Sequence, residues 1–224
     1  MKQGFVKVAS ATPRIRVADP VYNAQVICEQ AKEAAEHGEK IVVFPELCIT
    51  GYTCNDLFLQ ELLLEKAKEA LLTIAEETGQ LETLFLVGLP VDKDGRLYNV
   101  AAVLYRGRIL GMIPKKNIPM YAEFYEGRHF TPGEETVTEY RLGKQVIPFG
   151  SNLLFRCEEL PELILGCELC EDLWVAEPPS TSHALMGATV IANLSASNET
   201  VSKDDYRTLL VKASSARLLC GYIY

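Results

Sequence analysis

An α/β architecture, with a mixed β-sheet covered by helices, is expected from three features of this chain. Short apolar runs of strand length, such as IVVF at 41–44 and LFLVGLP at 84–90, alternate with amphipathic stretches of helical length. Asp94-Gly95 and Arg106-Gly107 mark two tight hairpin turns in the middle of the sequence. No repeat, low-complexity tract or linker interrupts the 224 residues, of which 48% are hydrophobic, so a single domain over 1–224 with a sizeable core is expected.

FVKVA at 5–9 reads as a first strand, and Asp19-Pro20 supplies an N-cap and a first-turn proline for a helix ending near Gly38. Ala24, Ile27, Cys28, Ala31 and Ala35 recur at helical spacing and form its buried face. IVVF is a continuous apolar run, the pattern of a strand covered on both faces, and Pro45 ends it with Glu46 just beyond its tip. A second helix is predicted over 57–78, with Leu63, Ala67, Ala70, Leu71 and Ile74 inward and Gly79 as its stop; LFLVGLP then completes a βαβαβ pattern. The two hairpin turns bracket YNVAAVLY and lead into RILGMIPKK, whereas residues 131–148 read as polar and turn-rich. NLLFRC and LILGCEL are strands, STSHALMGA a helix, TVIANLS a strand and DDYRTLLVKASSARLL a last helix. GYIY at 221–224 reads as the beginning of a strand inside which the sequence stops, so a truncated chain is expected.

The charge balance, 22 Lys and Arg against 30 Asp and Glu for a net −8, argues against nucleic acid or an anionic membrane as partner, because both need clustered cations. MKQGFVKVAS lacks the pattern of a signal peptide and no apolar segment is long enough to span a bilayer, so a cytoplasmic protein is expected. Seven cysteines at irregular spacing in a chain of this size predict reduced thiols, most of them buried.

In open α/β sheets ligands gather beyond the carboxyl ends of strands, and three reactive side chains fall there: Glu46 after IVVF, Lys115 after RILGMIP and Cys170 after LILGCEL. Together they have a chemistry, since a thiol needs a base to become an attacking thiolate and a tetrahedral intermediate needs a fixed cation. Each alone also has an ordinary reading, as a core cysteine, a solvated lysine and a helix-capping glutamate. CELC at 167–170 poses the sharper question. A redox CxxC opens a helix, but Cys167 lies in a predicted strand and Glu171 and Asp172 add negative charge after Cys170. A zinc site needs further ligands, and His37, His129 and His183 stand isolated, so no metal is expected and Cys170 remains as a nucleophile with Cys167 in the core.

VVFPELCITGY (42–52), PKKNIPMYAEFYE (114–126) and LGCELCEDLW (165–174), in this order, resemble the three signature blocks of the nitrilase or carbon-nitrogen hydrolase superfamily. TGYTCNDLF, FTPG at 130–133, CEDLWVAEPPS and NLSASNET at 193–200 resemble, more narrowly, the glutaminase domains of glutamine-dependent NAD synthetases, over essentially the whole chain. The resemblance implies a nitrilase-like α-β-β-α sandwich, Glu46 as general base, Cys170 as nucleophile and Lys115 as the cation beside both, Lys115 rather than Lys116 because the family lysine stands four residues before a proline, here Pro119. It also implies L-glutamine as substrate, held by Tyr52, Tyr121, Phe124, Glu171 and Ser197, with Lys203 in place of a carboxylate-binding arginine and the Glu171 N–H as a second oxyanion donor. Tyr52 and Phe124 equally suit core aromatics, and Ser197 a helix cap. Relatives continue into an ATP-using synthetase domain whose SGG-type loop does not occur in these residues; ATP and Mg²⁺ are therefore expected only for that domain, with no cofactor here, and a homo-oligomer is expected by the same resemblance. The other readings are a stand-alone amidase acting on another amide and a non-catalytic scaffold for assembly.

Overall fold

The computed structural model describes residues 4–224, and its strands fall into two sheets packed face to face. The larger runs β1(Val8–Ser10), β2(Ile41–Val43), β3(Leu84–Lys93), β4(Arg96–Tyr105) and β5(Arg108–Pro114), then β7(Gln145–Phe149) and β6(Thr138–Leu142) at its far edge. The smaller has the order β11(Gly221–Ile223), β10(Val190–Leu194), β9(Ile164–Leu169) and β8(Leu154–Arg156). In both sheets a parallel part joins an antiparallel one: β1 to β3 and β9 to β11 run parallel, β3 to β5 and β8 with β9 antiparallel.

Burial on both faces of β2 follows from this layering. Val42 packs with Ile27, Leu71 and Ile74 under α1(Pro20–Glu36) and α2(Glu61–Glu77), while Ile41 and Val43 point into the core between the sheets, against Leu86, Cys167, Leu169 and Leu194. On the far side, α3(Pro179–Leu185) and α4(Lys203–Leu218) contribute Ala184 and Leu218 to a cluster with Ile191 and Cys220 over the smaller sheet. The result is the four-layer α-β-β-α sandwich expected from the resemblance. Cys167 is a core residue of β9, and all seven cysteines are free.

Local chemistry sets the element ends. Asp19 caps α1 by accepting the Tyr22 N–H at 3.1 Å, with Pro20 in the first turn. Asp94 and Gly95 have φ of 52° and 71°, and Arg106 and Gly107 46° and 76°, the paired positive values of a type I′ hairpin turn. Three expectations shift. The first strand is Val8–Ser10 rather than 5–9. The helix expected from 57 starts at Glu61, because Tyr52–Leu59 form tight 3₁₀ turns kinked at Asn55 (φ 50°, ψ −131°), which the following apolar period conceals. Residues 131–148, expected as turns, include the β6 to β7 hairpin: Tyr140, Leu142, Ile147 and Phe149 alternate inward across a turn at Gly143. Pro148 masks the strand signal and is tolerated because β7 meets β5 only at the Met112 and Phe149 pair. GYIY does enter a strand, β11, parallel to β10. Among the described residues no helix is long and apolar enough to cross a membrane.

One close approach ties the fold to the strand ends. The turn after β2 lies on Gly88 of β3: a Cβ there would stand 2.3 Å from the Leu47 nitrogen and 2.7 Å from the Pro45 carbonyl oxygen. Both are backbone atoms, so neither can rotate away. Gly88→Ala is therefore expected to cost about 1–3 kcal/mol, measured as a lower urea midpoint at unchanged slope, and to displace Glu46.

Candidate active site

Glu46 sits in the turn that leaves β2, where Leu47 takes φ 52° and the Gly51 N–H closes the turn on the Leu47 carbonyl at 2.7 Å. Lys115 is the residue after β5; its N–H bonds the Asn99 carbonyl at 2.8 Å and its carbonyl accepts the Gly133 N–H at 2.7 Å. Cys170 opens a 3₁₀ turn, Cys170–Leu173, directly after β9. Its φ of 41° is unusual for a residue with a Cβ, the kind of backbone strain that persists only when the surroundings hold it. Here Asn193 of β10 holds it, accepting the Cys170 N–H on Oδ1 at 2.9 Å. Asp172 pins the same turn: Oδ2 accepts the Leu169 N–H at 3.0 Å, and Oδ1 accepts both the backbone and side-chain N–H of Asn117 at 2.8 Å. That second contact fastens the cysteine turn to the segment that follows Lys115.

The three side chains selected at strand ends meet in the interior. Lys115 Nζ donates to Glu46 Oε1 and to Glu126 Oε1, each at 2.7 Å, and the side chains of Lys115 and Glu46 have no solvent exposure. Asn99 donates to Glu46 Oε1 at 2.8 Å and the Ala196 N–H to Oε2 at 3.1 Å, while Tyr52 donates to Glu126 Oε1 at 2.7 Å. Burial alone would push the Lys115 ammonium down in pKa, but the charges of Glu46 and Glu126 outweigh it and the net shift is upward. Glu126 moves up, first through burial and then through the charge of Glu46. The Cys170 thiol is pushed up to about 12, by burial and then by Glu46, against the opposing pull of Lys115. It is therefore held as a neutral thiol, and can act as a nucleophile only if its proton has somewhere to go.

The outer residues form a rim. Tyr121 donates to Glu171 Oε2 at 2.9 Å and meets the buried Phe124 ring edge to face, with centroids 5.5 Å apart. Lys203, the first residue of α4, holds its ammonium 4.9 Å from the Trp174 ring and 5.5 Å from that of Phe124 while bonding Asn198 Oδ1. Phe124, Tyr121, Glu171 and Lys203 are thus adjacent, and Tyr52 joins the site through Glu126. Ser197 is no helix cap, for Ser202 precedes α4 and the Ser197 hydroxyl donates to the Asn198 carbonyl at 3.4 Å. The Glu171 N–H lies in the first helical turn, where donors have no intrahelical partner and can face a ligand. A cavity of about 340 Å³ opens beside the buried cluster, with Tyr52, Phe124, Glu126, Ala196 and Asn198 in its wall.

Four polar residues of this site were not singled out from the sequence: Glu126, Asn99, Asn193 and Asp172. A signal existed for the first, a carboxylate closing the largely apolar and aromatic block IPMYAEFYE. Asn99 and Asn193 sit in apolar strands, where a lone amide is itself a mark of a buried polar partner.

Fold and site together define a class of four-layer proteins with a thiol at a strand end beside a buried carboxylate and ammonium pair. The chain belongs to the carbon-nitrogen hydrolase family, which it matches over residues 7–220. It is 41% identical over 223 residues to a glutamine-dependent NAD(+) synthetase of Mycobacterium tuberculosis, covering all of this chain and 33% of that protein. To its counterpart from Thermotoga maritima it is 34% identical over 225 residues, covering 99% of this chain and 35% of the relative. Among solved structures, a glutamine-dependent NAD(+) synthetase from Cytophaga hutchinsonii superposes with a TM-score of 0.87 at 30% identity, over 97% of this chain and 35% of that one. An amidase from Nesterenkonia sp. shares the fold at 20% identity, with a TM-score of 0.71 over 97% of this chain and 75% of its own. The chain spans about a third of the length of the synthetases it matches.

The electrostatics of the cluster lead to an observable result. Glu46 is, after burial, the first group raising the Cys170 thiol, so Glu46→Gln should lower that pKa. Iodoacetamide should then alkylate Cys170 about tenfold faster than in the parent at pH 8, the factor for a shift of about one pKa unit, as followed by peptide mass spectrometry. If Glu46 serves as the base for this thiol, any hydrolytic turnover should be lost in the same variant. A purely structural role for Glu46 would give no such opposite response.

Proposed function

We propose that this chain is the glutaminase part of a glutamine-dependent NAD synthetase, hydrolysing L-glutamine to glutamate and ammonia through a thioester on Cys170. The observation that carries this reading is the buried Lys115 shared by Glu46 and Glu126 next to a neutral thiol, in a chain whose relatives at 41% and 34% identity are described as glutamine-dependent.

Glu46 Oε1 already accepts from Lys115 and Asn99, which leaves Oε2, bonded only to the Ala196 N–H, as the oxygen free to take a proton. As Sγ attacks the carboxamide carbon, the thiol proton passes to Oε2 and negative charge grows on the carbonyl oxygen, where Lys115 and the Glu171 N–H stabilise it. Collapse of the intermediate breaks the C–N bond, and Glu46 returns the proton to the leaving nitrogen, which departs as ammonia. A water then gives a proton to Glu46 and its oxygen to the thioester carbon; glutamate leaves and the sulfur regains its proton from Glu46. The balance is glutamine and water to glutamate and ammonia, and the thiol, carboxylate and ammonium supply every group it needs, so no cofactor or metal enters.

Glu126 holds Lys115 from the other side and keeps its ammonium charged through both steps. The free amino acid is recognised by charge: Glu171 takes the ammonium, and Lys203, aided by Ser197, takes the carboxylate. Tyr52 and Phe124, which line the cavity of about 340 Å³, would wall its aliphatic stem, with Tyr121 beside Phe124, and that volume lies in the range of small-molecule sites. The two thirds of the relatives' length beyond this chain would hold the ATP- and Mg²⁺-using synthetase domain, the partner that consumes the ammonia in amidating deamido-NAD. Residues 1–224 would then form one domain of a larger, homo-oligomeric enzyme.

Cys170→Ala should reduce ammonia release from glutamine by at least about a thousandfold, as expected when a covalent nucleophile is removed, and ammonia release persisting in that variant would dismiss the reading. A diazo-ketone analogue of glutamine should add once, to Cys170 among the seven cysteines, and excess glutamine should block it. Protection by a non-amino-acid amide but not by glutamine would instead mark an amidase of other specificity.

A further inference from the structure

The nucleophile is gripped from β10 on two sides, and only one of them is explained by backbone strain. Asn193 holds the Cys170 N–H; its own Nδ2 reaches the Tyr222 hydroxyl at 3.4 Å, and that hydroxyl bonds the buried Glu168 carboxylate. Two residues on, Ser195 acts on the sulfur itself. Its Oγ donates to Cys170 Sγ at 3.3 Å and lies 2.8 Å from the Tyr224 hydroxyl. If the Ser195 proton points at sulfur, its oxygen must accept, so the order is Tyr224 O–H to Ser195 Oγ, then Ser195 O–H to Cys170 Sγ. Tyr224 is held in place from behind, because β11 pairs with β10 and the Ser10 hydroxyl bonds the Tyr224 carbonyl at 2.9 Å.

We propose that Ser195 is a further catalytic residue of the thiol chemistry, donating its hydroxyl to the sulfur whenever it carries charge, and that Tyr224 is the residue that fixes the direction of that donation. The proposal rests on Cys170 being the nucleophile, and not on which amide it attacks. A hydrogen bond to a charged acceptor is roughly twice as strong as one to a neutral acceptor, so the contact favours thiolate over thiol, and a second donor behind the first reinforces it. Ser195 does not take the proton: an alcohol is far too weak a base, and Glu46 is the carboxylate coupled to the thiol. The sulfur is charged twice in a cycle, when the thiol is deprotonated for attack and when the thioester is cleaved, and the hydroxyl serves both steps without itself changing protonation. The other groups within electrostatic reach of the sulfur are Glu46, Lys115, Tyr52, Tyr121 and Tyr224, with the Ala196 N–H bonding it; those around the Tyr224 hydroxyl are Cys170, Arg207 and the Ser195 and Ser197 hydroxyls.

The test is the rate of Cys170 alkylation by iodoacetamide from pH 6 to 11, resolved by peptide mass spectrometry, in the parent protein, Ser195→Ala and Tyr224→Phe, with Cys170→Ala identifying the peptide. Ser195→Ala should label about tenfold more slowly at pH 8, with its pH curve displaced upward; Tyr224→Phe should move the same way by a smaller factor. A Ser195→Ala curve superimposed on that of the parent, in a variant with unchanged circular dichroism, overturns the proposal. If Ser195→Ala does not fold, Tyr224→Phe decides alone, and an unmoved curve there overturns it equally. Displaced curves in a protein that fails to hydrolyse glutamine uphold Ser195 and reject only the substrate, whereas glutamine hydrolysis with unmoved curves does the reverse.

Discussion

A lysine ammonium with no access to water, held between two carboxylates, is the interaction on which the rest of this site depends. Taking Lys115 and Glu46 out of solvent costs several kcal/mol per ion before their attraction is counted, and the cost is offset only when geometry is good and the remaining hydrogen-bonding positions are filled. They are filled here by Asn99, Ala196 and Tyr52, each from a different part of the chain. The turn after β2, the middle of β4, the end of β5, the segment around Glu126 and the end of β10 are thus committed to one arrangement. Removing a single partner leaves a buried charge unmatched, so the cluster forms as a unit with the fold around it.

That arrangement sets the chemistry by arithmetic of charge. With one ammonium and two carboxylates the cluster carries an excess negative charge, and this adds to burial in raising both the Glu126 carboxyl and the Cys170 thiol. The one charge that favours a thiolate is the Lys115 ammonium, which acts against burial and Glu46.

What could be read from the sequence was what is local. The cap at Asp19, the paired turns at Asp94-Gly95 and Arg106-Gly107, and the doubly buried IVVF depend on neighbours within a few residues, and all were legible. So were Glu46, Lys115 and Cys170, because strand ends can be located and the blocks around them resemble a known family. The 3₁₀ run at Tyr52–Leu59 was not, since its apolar residues sit in phase with the helix that follows, and the β6 to β7 hairpin hid behind Pro148. Asn193 and Ser195 escaped for a different reason: they act on Cys170 across 23 and 25 residues of chain, and nothing in ANLSAS says which neighbouring strand it will face.

The CxxC spacing of Cys167 and Cys170 ends with the two sulfurs in separate compartments. Cys167 faces the dry layer between the sheets with Leu165 and Leu169, and Cys170 turns away from it through its left-handed backbone. A peroxide that converted Cys170 to a sulfenic acid would find no resolving partner in Cys167, so nothing in this turn would halt the oxidation at a disulfide, and the sulfur would climb toward the sulfinic state that ordinary thiols cannot reverse. The strained turn that aims Cys170 thereby makes its upkeep depend on reductants supplied by the surroundings rather than on the motif its spelling suggests.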